Sequence, residues 1–167
     1  MSEVNPLAKS VITAVVLFVL DAFVLGQGVI AVITLLIVVF GFMPKAVIAF
    51  FKRRSPRYYL KKSLIYTVMA VGVLGVIFVN NRIARERAEH LIDKIEDYKT
   101  AEGKYPETLE TLIPEHIDAI PKSKYTVSHN RFLYIYGKGG VLLGYVHLPP
   151  FGRLMYSFDT KKWASLD

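Results

Sequence analysis

The chain has 167 residues, 53% of them hydrophobic, and a mean hydropathy of +0.36, which is too apolar for an ordinary soluble domain and points to a membrane protein. Residues 1–80 hold eight Lys/Arg against only Glu3 and Asp21, whereas residues 81–167 hold 13 Lys/Arg against 12 Asp/Glu. The basic excess therefore belongs to the apolar half and does not describe a nucleic-acid-binding surface, and the lack of cysteine excludes disulfides, thiol catalysis and thiolate metal sites.

Leu7 to Leu25 is apolar apart from Lys9, Ser10, Thr13 and Asp21, and Val29 to Phe42 is apolar again, with an apolar tail to Phe51. About 20 residues cross the hydrocarbon layer, so Val11–Phe51 is too long for one span. It reads as two helices joined by a turn at Gly26-Gln27-Gly28. Pro44 is expected to kink or end the second helix, with Lys45 reaching for the interface. The weakly basic N-terminus and the missing small-x-small site argue against a cleaved signal peptide over residues 1–26.

Residues 52–62, KRRSPRYYLKK, carry six positive charges and no negative one. As a basic loop they belong in the cytoplasm, with the N-terminus also inside and residues 81–167 on the far side of the membrane. Setting topology is a sufficient role for this loop; binding anionic lipid or a cytoplasmic partner is the other. The third helix is expected over Leu64–Glu102. Its first part, Leu64 to Val79, is uncharged, and its second keeps an apolar stripe of Ala84, Ala88, Leu91, Ile92, Ile95 and Tyr98 among many charges. Gly72 and Gly75 are expected to pack against the preceding hairpin.

Gly103 stands where a C-terminal cap belongs, and Pro106 where a new helix begins, with Leu109, Leu112 and Ile113 inward. Residues 114–121, bounded by prolines, read as a turn or loop. Phe132–Tyr136, Val141–Leu148 and Arg153–Phe158 read as strands, followed by a short strand containing Trp163. Short turns between them imply an antiparallel meander, one face of which covers the helical stripe. The fold class is thus an α+β membrane protein. It has a helical hairpin and basic loop over 1–63, a long helix over 64–102, and an antiparallel β domain over 103–167 packed on helix 82–102.

The order of a membrane-anchored helix, its amphipathic continuation, EDYKTAEGKYPETLETLI and an antiparallel sheet resembles the type IV pilins and the pseudopilins of type II secretion. The motif match is Tyr98, Gly103, Tyr105, Pro106, Leu109 and Leu112 within Ile95–Leu112; from Leu64 onward the likeness is architectural. It implies a bacterial inner-membrane protein with a periplasmic domain, whose partners are pilin or pseudopilin subunits or other envelope proteins. At Lys61–Thr67 the chain lacks the Gly, Phe and Glu of the pilin leader junction, and two helices precede it. The long helix therefore reads as a fixed stem, and the protein as a pilus accessory component.

Asp21 is the one acid inside an apolar span. It either caps the adjacent turn, reaches the interface, or contacts a polar group of a partner helix. Tyr105 and Pro106 come forward through the resemblance. The Pro149-Pro150-Phe151-Gly152-Arg153 loop presents Phe151 and Arg153 either as a partner-binding tip or as a bulged strand connection with Phe151 turned inward. Tyr134, Tyr136, Tyr145 and Tyr156 are read as an aromatic outer sheet surface, half of it core. His90, His116, His129 and His147 have no metal-ligand spacing, and no residue constellation points to an enzyme or a cofactor. Partners are membrane lipids and envelope proteins, not nucleic acid. The expected function is assembly or interaction; the alternative is a small sensor or transporter subunit with a capping domain.

Overall fold

In the computed structural model, residues 5–148 and 152–166 are described. The chain forms two compact units, Met1–Phe78 and Val79–Asp167, and one long helix contributes to both.

In the first unit, helix α1 (Pro6–Val19) is capped by Asn5, whose side chain accepts from the Leu7 N–H at 3.0 Å. It runs into a wide π-helical turn, Leu20–Leu25, and stops at Gly26. Gly26 and Gly28 have φ of 64° and 72°, in the left-handed region open to glycine, which is why the reversal falls there. Helices α2 (Val29–Ile37) and α3 (Met43–Phe51) follow, joined by a second π-helical turn, Val38–Phe42. Of the two outcomes expected at Pro44, an end is not seen, since helix continues from Met43 to Phe51 after the π-helical turn that directly precedes the proline. The Met43 N–H reaches back to the Val38 carbonyl, and this wider turn lets the helix pass a residue with no N–H to give.

Helix α4 is Arg57–Glu102, 46 residues long. The expected basic loop is therefore shorter than 52–62, because Arg57, Lys61 and Lys62 are already helical. Pro56 stands directly before the helix, where its fixed φ and missing donor suit a helix start. Buried Ala14, Ala22, Ala31, Ala70 and Val73 form the centre of this unit, small side chains that let helices approach closely. A Cβ on Gly72 would lie 3.1 Å from the Phe18 ring, so Gly72 packs on α1; Gly75 has open space there. Pro6–Leu25, Val29–Phe51 and Arg57–Glu102 are each long and apolar enough to cross a membrane.

In the second unit the charged part of α4 lies on a sheet of four strands: β1 (Leu133–Gly137), β2 (Gly140–Leu148), β3 (Gly152–Ser157) and β4 (Lys162–Leu166). Their order is β1-β2-β3-β4, antiparallel throughout. Ala84, Ala88, Leu91 and Ile95, fully buried, pack with Leu112, Leu143, Tyr145, Phe132 and Phe158. Gly103, at φ 73°, ends the helix. Beyond it the expected second helix is only a 3-10 turn, Leu109–Leu112, which buries both leucines. Ile113 is exposed rather than inward, because the turn ends before it.

Candidate interaction surface

Strand register decides which side chains share a face. Leu143, Tyr145, Leu154, Tyr156 and Trp163 face α4. The opposite face carries Leu133 and Ile135 from β1, Leu142, Gly144 and Val146 from β2, Arg153, Met155 and Ser157 from β3, and Lys162, Ala164 and Leu166 from β4. An antiparallel sheet with one solvated face ordinarily alternates apolar-in and polar-out. Here most of the outward positions are apolar as well. Ile135 and Leu166 are about half exposed, at 50% and 49%, and Leu133, Leu142 and Val146 are partly exposed. Met155 is buried, at 2% exposed, with its sulfur against Gly144: a Cβ there would meet that sulfur and the Leu154 carbonyl. Arg153 and Lys162 are the charged residues of this face, and no carboxylate lies on it among the described residues.

This surface differs from the aromatic one read from the sequence. Tyr145 is buried, Tyr134 and Tyr156 are half-buried against the helix-side core, and Tyr136 alone of the four is exposed. Period-two alternation identifies two faces but cannot say which of two apolar faces a helix will cover.

Asp21 is fully buried, and its two carboxylate oxygens accept from the Gly28 N–H at 2.9 Å and the Ala31 N–H at 2.7 Å. It thus satisfies orphan donors at the start of α2 from across the turn. Tyr105 packs on Phe158 with the rings tilted and their centroids 5.2 Å apart; its hydroxyl accepts from Lys99 at 2.9 Å and donates to Glu96 at 3.4 Å. Pro106 is fully buried, and its carbonyl accepts from the Tyr134 hydroxyl at 2.7 Å. These two residues tie the turn after α4 to the sheet. Arg153 is exposed on the outward face, and Phe151 lies outside the described residues.

Sequence reasoning passed over a polar cluster at the head of this unit. Lys124, only 2% exposed, donates to Asn81 Oδ1 at 2.5 Å, and no carboxylate pairs with it among the described residues. Asn81 in turn donates to the His147 carbonyl at 3.0 Å, where a bulge between Val146 and Leu148 takes that group out of the ladder. Asn80 accepts from the Tyr125 N–H at 3.1 Å. Burial pushes Lys124 down to about 8, and burial with nearby Lys124 and Arg85 pushes His147 down. The one signal in the sequence was Asn80-Asn81, a polar pair directly after the apolar run.

Neither models of protein families, nor curated proteins, nor solved structures give a match to this chain.

Proposed function

We propose that the protein is a membrane-anchored assembly or interaction component, whose three apolar helices hold the helix-on-sheet unit outside the bacterial inner membrane, where it serves type IV pilus or type II secretion assembly. The observation that carries the interaction reading is the outward sheet face, where Ile135 and Leu166 are exposed and Leu133, Leu142 and Val146 partly exposed. Apolar side chains left open together on one face mark an interaction site on a monomer. The membrane anchor is supported by the three long apolar helices, whose large side chains Ile12, Leu36, Phe40 and Phe51 point outward. The orientation is supported by the six positive charges of residues 52–62. The pilus or secretion assignment rests on the likeness of Tyr98–Leu112 to the pilin family. The sensor or transporter reading draws less support, since both Asp21 oxygens are already taken by backbone N–H groups.

The test is crosslinking in cells from benzoylphenylalanine introduced at Ile135, with Lys104 as an exposed control away from the sheet. Crosslinks to a pilin, pseudopilin or assembly protein from position 135 alone are expected, together with loss of pili or secretion on deletion of the gene. No crosslink from 135, with pili and secretion intact in the deletion strain, sinks the reading.

A further inference from the structure

The outward sheet face has a size and a charge that select among occupants. Strands lie about 4.8 Å apart and rise about 3.3 Å per residue, so four strands of about five residues make a face about 15–20 Å on each side. A folded partner domain in a stable complex typically removes about 800 Å² from each side, more than such a footprint offers. One α-helix, about 10 Å across, needs about three turns to cross it. A helix laid there would complete a sheet covered on both sides, with α4 on the first.

Charge narrows the choice further. Arg153 stands at the end of the face where β3 meets Leu166, and Lys162 at the other end beside Ser157. Lys138 and Lys161 occupy the turns next to these strands, and Asp159 is the only acid from Arg131 to Leu166. Two copies set face to face would bring basic residues together with no carboxylate on the face among the described residues to neutralise them. We propose that this face docks an amphipathic helix of about three turns whose apolar stripe covers Leu133, Ile135, Leu142 and Leu166 and whose flanking residues are acidic. The proposal rests on the interaction reading above and names the chemistry of the partner. Carboxylates flanking the stripe pair with Arg153 and Lys162, which fixes the helix across the strands and speeds its capture.

The experiment uses the full chain in lipid nanodiscs, with labelled Ile, Leu, Val and Met methyl groups read by NMR. The probes are a 14-residue Leu/Glu amphipathic peptide, its Leu/Lys counterpart and a scrambled Leu/Glu peptide, each also titrated on empty nanodiscs. The Leu/Glu helix is expected to shift the Leu133, Ile135, Leu142 and Leu166 signals while Leu91 and Ile95 stay put. Ile135→Glu should weaken binding by at least about tenfold, and Arg153→Glu with Lys162→Glu should transfer the preference to the Leu/Lys peptide. Unmoved Leu91 and Ile95 signals report that each variant is folded. Equal binding of both peptides, or shifts that survive Ile135→Glu, overturn the proposal. So do concentration-dependent shifts of the same methyl groups without peptide, which give the face to a second copy. If crosslinks from position 135 persist in cells while the Leu/Glu peptide fails to bind, the interaction reading stands and the acidic helix falls.

Discussion

Among the described residues Asp21 and Lys124 are the two buried charged side chains, and they are satisfied to different degrees. Asp21 takes two backbone N–H donors at the start of α2. In Asp21→Asn one acceptor becomes an amide that faces a donor, so the variant should lose about 1–3 kcal/mol of stability. Loss of helical circular dichroism at lower SDS fraction in mixed micelles checks this. A carboxylate in an apolar run was visible from the sequence, and turn capping was among its readings. Its two partners, seven and ten residues on, required the turn geometry at Gly26 and Gly28.

Lys124 has only the Asn81 amide oxygen, and burial holds its ammonium down to about 8. In the unfolded chain it titrates near 10.4, so between these values the unfolded state binds more protons and stability rises with pH. Unfolding followed by Trp163, the single tryptophan, should require more urea at pH 9.5 than at pH 8. Lys124→Met should flatten that rise and stabilise the protein at pH 7. Above about pH 10 the trend reverses, because burial pushes Tyr134 and Tyr145 upward and the unfolded tyrosines ionise first. His147 works at the acid end. Its depressed value means the unfolded imidazole charges first, so stability falls as pH drops below about 6.5. Nothing about Lys124 in the sequence distinguishes it from Lys122, which is exposed; only the packing of the 122–131 segment beside Asn81 separates them.

At the scale of elements, α4 was the most legible part. Its stripe recurs at helical spacing with no breaker between Gly75 and Gly103, and Ala84, Ala88, Leu91 and Ile95 are fully buried. Leu91→Ala, which opens a cavity against the sheet, should cost about 2–5 kcal/mol in urea unfolding. The start of α4 was less legible, because a run of positive charge looks like loop although Tyr58, Tyr59 and Leu60 are compatible with a helix. Strand β2 holds a second constraint. A Cβ on Gly144 would meet the Met155 side chain and the Leu154 backbone, so Gly144→Ala should destabilise by about 1–3 kcal/mol. Adding Met155→Ala should restore only part of this, since the Leu154 carbonyl remains; full recovery in the double variant would contradict the assignment.

For the whole molecule, the charge imbalance is the feature that predicts arrangement in a cell. In the proposed orientation a reporter fused after Leu166 should be active on the side of the membrane opposite residues 52–62. Replacing Lys52, Arg53, Arg54, Arg57, Lys61 and Lys62 by Gln should produce mixed orientations, read as reporter activity on both sides. A reporter active only in the cytoplasm in the unaltered protein would invert the orientation.

The sequence alone determined the class of the fold, because its signals are local. Runs of apolar residues at spanning length, a 3.6-residue stripe and alternating strands joined by Gly and Asp turns each follow from the chain's own periodicity. Helices with a four-stranded antiparallel meander result. What tertiary structure decided were matters of partnership between distant residues. It set which face of the sheet α4 covers, which backbone donors Asp21 meets, how Tyr134 reaches the Pro106 carbonyl, and why Lys124 is buried. The outward face could not be foreseen because both faces of these strands are mostly apolar, and periodicity carries no information about which one finds a helix first.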